Sequence, residues 1–383
     1  MGFFSLGKGV APVGLDISGN IFRVAQLKPS ADKPVLVNYA SLKAPLGLTN
    51  EGEISDIDGV AKALAAFWRA QRISEKKVVV GLANQKVIVR VIEMPYMTET
   101  ELRSAIKFQA NDYIPIPIEE AIVDFQIISE HENDEGEKMI DILIVAVRRD
   151  MVENLISAVT GAGLKPVVID VSSLAFARAV MGNDVRPVIE ELPDHLGATA
   201  LINIGSNLTD IVVIEDEIPR FTRISNVGGD TFTNALVDQI GISFEDADYL
   251  KTGIGLPAVE GIENDEDVME PAIPSEIQQY VDVVRNVLEQ EMIKFIAEVR
   301  RSLDYYLVQA MKAKSIDKVI VSGDGAKLRS FLSHLRENLQ IEAELAHPLR
   351  SVQVGKKLSE TNIESEELSM AICLGLAMRG IEK

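Results

Sequence analysis

Two stretches of the chain, 187 positions apart, carry one pattern, and that repeat constrains the fold more than any other feature. The first is V-G-L-D-I-S-G-N-I-F-R-V-A, Val13 to Ala25; the second is A-L-I-N-I-G-S-N-L-T-D-I-V-V, Ala200 to Val213. Overlaid, they pair Asp16 with Asn203, Ser18 with Gly205, Gly19 with Ser206 and Asn20 with Asn207. In each, an apolar strand reaches a short acid or amide, turns through small residues and returns as a second apolar strand. Such a β-hairpin leaves backbone N–H groups at its tip with almost no side-chain cover, a surface that wraps oxyanions. Two of them predict a phosphate chain gripped from both sides.

Composition narrows the choice. At 383 residues the chain is expected to hold two or more domains. Hydrophobic residues at 47% and charged ones at 25% are ordinary for a globular protein. A formal charge of −20 argues against DNA, RNA or an anionic lipid surface as a direct partner. The lone Cys373 excludes an intramolecular disulfide and fits a reducing compartment. No apolar run reaches the roughly 18 residues of a membrane-spanning helix. Residues 1–10 lack the long apolar stretch of a signal peptide. A cytoplasmic protein without membrane insertion is expected. The histidines (131, 195, 334 and 347) are scattered, with no metal-ligand or Ser-His-Asp grouping.

Periodicity gives alternating strands and helices. Strands are expected at about 13–18, 21–28, 34–43 and 77–82, and an amphipathic helix at 57–71 behind Ser55-Asp56. A distinct unit follows: a strand from Val87, a helix from Thr98 with Glu101 three residues on, and two strands joined by the polar turn H-E-N-D-E-G-E-K. A helix at 151–162 and a strand at 166–171 come next; Asp184 to Gly197 reads as a connector. In the second half, V-G-G-D-T-F-T feeds a helix whose first turn is expected to aim free N–H groups at an anion. Residues 252–273 look like a flexible insertion, 277–313 like a long helix, and K-V-I-V-S-G-D-G-A-K like a buried strand entering a Gly turn.

The order of these parts resembles the actin-like ATPase superfamily, with its two phosphate motifs and its adenosine motif. Within it the wording is similar to the PilM family of type IV pilus assembly proteins, relatives of FtsA. That resemblance rests on G-L-A-N-Q-K-V-I-V-R-V-I-E-M-P from Gly81, A-I-K-F-Q-A-N-D-Y-I-P-I-P-I-E-E from Ala105, G-A-G-L-K-P-V-V-I-D-V from Gly161 and E-V-R-R-S-L-D-Y-Y from Glu298. It implies an α/β, ribonuclease H-like ATPase fold, two halves around a nucleotide cleft. Subdomain 1A would comprise 1–84, 166–196 and 352–383, with an FtsA-type subdomain 1C at 85–165; 2A would comprise 197–226 and 314–351, and 2B 227–313.

The resemblance further implies that ATP or ADP with Mg²⁺ binds at Asp16, Ser18, Gly19 and Asn20, at Asn203, Gly205, Ser206, Asn207 and Thr209, and at Gly228, Gly229 and Thr231. Lys251, in D-A-D-Y-L-K, would reach the ribose or purine. Arg301, Ser302, Gly323, Asp324 and Lys327 would form the adenosine pocket. Asp16 would hold Mg²⁺ through water. Two departures point to slow hydrolysis. Asn203 stands where an Asp is usual, which leaves one carboxylate fewer at Mg²⁺, so Asn203→Asp is expected to quicken turnover. In I-D-V-S-S-L-A, Ser172 holds the water-orienting place, with Asp170 two positions early as a catalytic candidate beside Asp16.

Function is then expected at surfaces. The family implies an adaptor that binds the cytoplasmic N-terminal peptide of a PilN-like bitopic protein. This would link the PilN–PilO complex to pilus motor components at the inner membrane. Candidate groove residues are Asn84, Val87, Val89, Ala105, Phe108, Gln109, Tyr113 and Ile114, with Asn84 read as exposed at a strand end; Val89 and Phe108 also suit the core of the inserted unit. An FtsA-like filament is a rival, and self-association stays open, but an FtsA-type terminal membrane helix is not expected after R-G-I-E-K. A type II secretion component is a second rival, and a sugar kinase or chaperone ATPase a third.

Overall fold

The computed structural model describes residues 11–133, 135–182, 197–259, 273–310, 313–359 and 361–381. The expected signal-free start (1–10), most of the 184–197 connector and most of the 252–273 insertion lie outside the described residues. The first half runs β1 (Val13–Ser18), β2 (Ile21–Lys28), β3 (Val35–Lys43), a short ribbon of β4 (Thr49–Asn50) and β5 (Glu53–Ile54), then α1 (Ile57–Ala70) and β6 (Lys77–Leu82). It continues with β7 (Ile88–Pro95), α2 (Glu99–Tyr113), β8 (Ala121–Glu132), β9 (Lys138–Arg148), α3 (Arg149–Gly161), β10 (Lys165–Val171) and α4 (Ser172–Met181). The second half holds β11 (Gly197–Ile204), β12 (Thr209–Glu215), β13 (Ile218–Ser225), α5 (Gly229–Ile240), α6 (Phe244–Ile254) and α7 (Val281–Gln309). It ends with β14 (Ser315–Ser322), α8 (Phe331–Leu339), β15 (Glu342–Leu345), β16 (Gln353–Val354), α9 (Lys356–Ser359) and α10 (Ala371–Arg379).

The sequence repeat is a repeat of sheets. One sheet has the order β10-β6-β1-β2-β3-β16 and the other β15-β14-β11-β12-β13. Each is a three-stranded antiparallel meander whose first strand is extended by parallel strands. Parallel strands are buried on both faces, and β6 reads accordingly as K-V-V-V-G-L with only Lys77 exposed. α4 and α10 fill the space between the sheets: Phe176, Met370, Leu374 and Leu376 share a core with Leu27 and Val79 of one sheet and Leu201 and Val212 of the other. On the outer face of the first sheet, α1 presents Val60, Leu64, Phe67 and Trp68, the i, i+4, i+7, i+8 stripe of an amphipathic helix. Its start is fixed by Asp56, whose Oδ1 accepts from the Gly59 N–H at 2.9 Å.

Between α1 and α3 the chain leaves the first sheet to build a third, ordered β7-β9-β8, with α2 on one face. The start of α2 is the expected capping box: Thr98 N–H donates to the Glu101 carboxylate at 2.9 Å, and Glu101 N–H donates to Thr98 Oγ1 at 3.4 Å. Leu102, Ile106 and Ile114 pack on Ile140, Ile142 and Ile144 in a core separate from the others. The opposite face turns toward the second half, where Arg220 of β13 pairs with Asp141 of β9 at 2.7 Å.

Candidate functional site

The two hairpins meet tip to tip. Gly19, at φ +60°, lies so close to the second tip that a Cβ there would come within 2.6 Å of Ser206 Oγ and 3.1 Å of Asn207 Nδ2. Glycine is required for both the backbone angle and the approach. Around this junction lies a narrow cleft lined by Asp16, Gly19, Asn203, Gly205, Ser206 and Asn207, by Gly323 and Asp324, and by Arg23, Asp210 and Ser369. The sequence expectation thus converges on one place for most of both hairpins and for the start of the S-G-D-G turn. Asn20 is buried beside them with its Oδ1 lacking a hydrogen-bond partner. Of Ser18, whose side chain lies outside the described ones, only the backbone register opposite Ile21 is given.

Sequence reading missed Asp210. β-Ladder pairing puts it directly opposite Asn203, as Arg23 stands opposite Asp16 in the first hairpin. Asn203 Nδ2 donates to Asp210 Oδ2 at 3.4 Å, while Asp210 Oδ1 is buried without a partner. Burial first, and then the nearby Asp16 charge, pushes the Asp210 carboxyl up to about 7. The second hairpin therefore does not lack a carboxylate; it carries one on the returning strand. The expectation of one acid fewer counted only the outgoing strands. The signal was a turn of four residues, Gly205 to Leu208, closed by Gly205 N–H donating to Leu208 O at 2.8 Å, which fixes the register.

Several expected contributors serve the frame instead. The first-turn amides of α5 are not free: Gly229 N–H donates to Gly205 O at 2.9 Å and Asp230 N–H to Ser206 O at 2.7 Å. Gly228 permits that seam, since a Cβ would lie 2.5 Å from Ser206 O. Thr231 Oγ1 accepts from Gly228 N–H at 3.2 Å, and Thr209 Oγ1 donates to Val227 O at 2.6 Å. Lys251 reaches the same helix start, donating to Thr233 Oγ1 at 2.7 Å and Gly229 O at 3.2 Å, and pairs with Asp248 at 2.8 Å.

Arg301 and Ser302 do not line the cleft. Arg301 is exposed on α7 and paired with Glu298 at 2.8 Å; Ser302 is fully buried and returns its hydroxyl to Glu298 O at 2.9 Å. The two neighbours therefore part company, one to solvent and one to the core of the second half. Lys327 stays at the cleft edge, 3.4 Å from Asp324. Asp170, the catalytic candidate, is likewise not a lining residue; it is tied to Arg178 at 2.8 Å and accepts from Val171 N–H at 2.9 Å. Ser172 and Ser173 are buried with both hydroxyls unpartnered.

The expected partner groove also changes. Asn84 is completely buried, with Nδ2 donating to Glu51 O at 2.5 Å and Oδ1 accepting from Lys86 N–H at 2.7 Å. It ties the loop after β6 to the β4–β5 ribbon, because the strand end needs a polar partner where the chain turns. Ile114 belongs to the α2 core. Val87, Val89 and Ala105 are half-buried. Val89 alternates to the face of β7 opposite Ile88 and Ile92, which pack toward α2 as Ala105 does. Phe108, Gln109 and Tyr113 fall where the α2 side chains lie outside the described ones.

Paired sheets of one strand order, with apposed hairpins opening on a shared cleft, define an actin-like fold. Solved structures agree. The PilM–PilN type IV pilus biogenesis complex matches with a TM-score of 0.78 over 98% of this chain and 99% of that one, at 24% identity. MreB5 of Spiroplasma citri bound to AMPPNP gives 0.50 over 96% and 95%, at 13% identity. The cell division protein FtsA of Bacillus subtilis (strain 168) is 23% identical over 317 residues, 76% of this chain and 70% of FtsA. The family model of the type IV pilus assembly protein PilM matches residues 14–381, and the chain belongs to that family.

Proposed function

We propose that this protein is a nucleotide-loaded adaptor of type IV pilus assembly that binds ATP or ADP with Mg²⁺ at the hairpin cleft. The observation that carries the reading is the pair of apposed hairpins bringing Asp16 and Asp210, both at most 3% exposed, to one chamber. A buried acid with an orphan oxygen, as at Asp210, is costly unless a cation joins it, and carboxylate oxygens suit a hard divalent ion. Bound Mg²⁺ would neutralise phosphate charge. Asp16 and Asp210 would orient it through its waters, Gly19, Ser206 and Asn207 would wrap the phosphates above the turn that Gly205 closes, and Gly323 would let the ligand approach the β14 turn. Asp170 is held by Arg178 and points to structure rather than water activation, so slow hydrolysis is expected.

Partner binding rests on family membership and on the likeness to the PilM–PilN complex, in which a PilM protein is bound to PilN. The same role here means a PilN-like cytoplasmic peptide docking near the inserted three-stranded sheet, with PilN–PilO and motor components beyond it. Among the described residues no helix is long and apolar enough to cross a membrane; recruitment to the inner membrane then runs through protein contacts. The division into 1A, 1C, 2A and 2B belongs to this proposal. Mass spectrometry of nucleotide released from purified protein, followed by titration with Mg–ATP and Mg–ADP, tests the first part. No bound adenine nucleotide and no affinity would overturn it. Titration of a PilN-like tail peptide tests the second.

A further inference from the structure

The cleft is lined by three aspartates and one cation. Asp16, Asp210 and Asp324 face it, and Arg23 is its only basic lining residue among the described ones. Arg23 is buried on β2, with Nη2 in an ion pair with Asp324 Oδ2 and Nε buried without a partner. Asp324 is presented by the tight turn after β14, where Gly323 at φ +90° passes so close to Ile204 that a Cβ would sit 2.2 Å from its carbonyl oxygen. Its other oxygen accepts from Ser369 Oγ at 2.6 Å, and Lys327 stands 3.4 Å away. Burial opposes the charge on both partners. Asp324 nevertheless holds the guanidinium above its ordinary value, and Arg23 with the Ser369 hydroxyl holds Asp324 below the usual carboxylate range.

A guanidinium offers a planar fork that suits carboxylate and phosphate alike. We infer that Arg23 is the anion anchor of this cleft and that Asp324 occupies it as an internal stand-in for a phosphate, to be exchanged when a nucleoside di- or triphosphate binds. The inference rests on the nucleotide reading above and adds a latch to it. Arg23 lies in the six-stranded sheet and Asp324 follows a strand of the five-stranded one, so the exchange also releases a tie across the cleft. The spare Nε supplies a donor that the carboxylate leaves unused.

The test is calorimetric titration of Mg–ADP, Mg–ATP and adenosine into wild type, Asp324→Asn, Arg23→Met and the double variant, with a ligand-free melt of each. Asp324→Asn is expected to tighten Mg–ADP about tenfold, the order of one charge-assisted hydrogen bond no longer competed for, and to leave adenosine unchanged. Arg23→Met is expected to weaken Mg–ADP at least about tenfold, and the double variant to bind no better than Arg23→Met. Binding by Asp324→Asn where wild type shows none would also support the latch. Wild-type binding with unchanged or weaker affinity in a well-folded Asp324→Asn would overturn the latch and leave the nucleotide reading standing. So would a gain that survives in the double variant. No binding by any of the four would overturn both.

Discussion

The two hairpins share a backbone and differ in charge. At one ladder position the first pairs Asp16 with Arg23, and the second pairs Asn203 with Asp210. In the first the acid is on the outgoing strand and a cation answers it; in the second the acid is on the returning strand, faced by the Asn203 amide and the Ser173 hydroxyl. One half therefore carries its own counter-charge into the cleft, and the other carries an acid with none. The lesson is that a hairpin's chemistry is a property of both strands. Comparing only the outgoing strands makes the second hairpin look disarmed, whereas it carries a carboxylate on the returning strand.

The largest effect that separates the two is expected at Asp210. Asp210→Asn removes the uncompensated acid and should weaken Mg–ATP binding on the order of 100-fold, with the Mg²⁺ dependence flattened. Without ligand the same change should stabilise the fold. The folded-state value of about 7 lies above the ordinary 3.8, so the folded protein binds more protons than the unfolded chain between these values. Stability from this group is then present at low pH and is lost as pH rises toward and through about 7. Melting curves from about pH 5 to 8 should fall in wild type relative to Asp210→Asn. Parallel curves would show that Asp210 meets a counter-charge after all.

How much of this was legible follows from which physics the sequence exposes. The tip glycines and apolar alternation place both hairpins, and Asp56 and Thr98 mark helix starts, because these signals act over two to four residues. Asp210 was hidden because its role depends on register, set by the hydrogen bonds that close the turn. Asn84 looks exposed by polarity, yet it is buried because its amide satisfies Glu51 and Lys86 backbone groups 33 and 2 positions away. The α5 amides looked free because nothing local shows that the second hairpin's carbonyls dock on them. Arg301 and Ser302 were not separable from the sequence alone, since neighbours on a helix can share a face, as Phe67 and Trp68 do on α1.

A second comparison asks what an acid does on the outgoing strand of the second hairpin. Asn203→Asp would place a carboxylate where the amide now donates to Asp210, 3.4 Å away. It is expected to destabilise the ligand-free protein by about 1–3 kcal/mol and to push Asp210 further up. Single-turnover hydrolysis should not quicken, which reverses the expectation drawn from the outgoing strands alone. A faster rate at equal Mg²⁺ would restore that expectation.

The hairpins also differ in how they are braced. Only the second leans its tip carbonyls on a helix start, through the close pass at Gly228. Gly228→Ala should cost about 1–2 kcal/mol by forcing the seam apart, and hydrogen exchange should rise at Gly229 and Asp230 more than at the first hairpin. Unchanged protection at Gly229 and Asp230 in the variant would mean that the seam is not what holds the second tip.

The smallest effect is expected at Asp170, and it decides whether the first half contributes any acid beyond those at the hairpins. Its carboxylate is engaged by Arg178, which also donates to Gly375 O at 3.1 Å, so Asp170 joins β10 and α4 to α10 behind the cleft. Asp170→Asn keeps the size and an acceptor for Arg178 but weakens a mostly buried ion pair. Stability should fall by about 1–2 kcal/mol, while single-turnover hydrolysis at saturating Mg–ATP should change by less than about threefold, because a group outside the cleft holds no attacking water. A residue that orients that water would lose at least about tenfold in rate with its affinity intact. That pattern would move Asp170 back into the catalytic machinery and make the first half, with two working acids, the chemically dominant one.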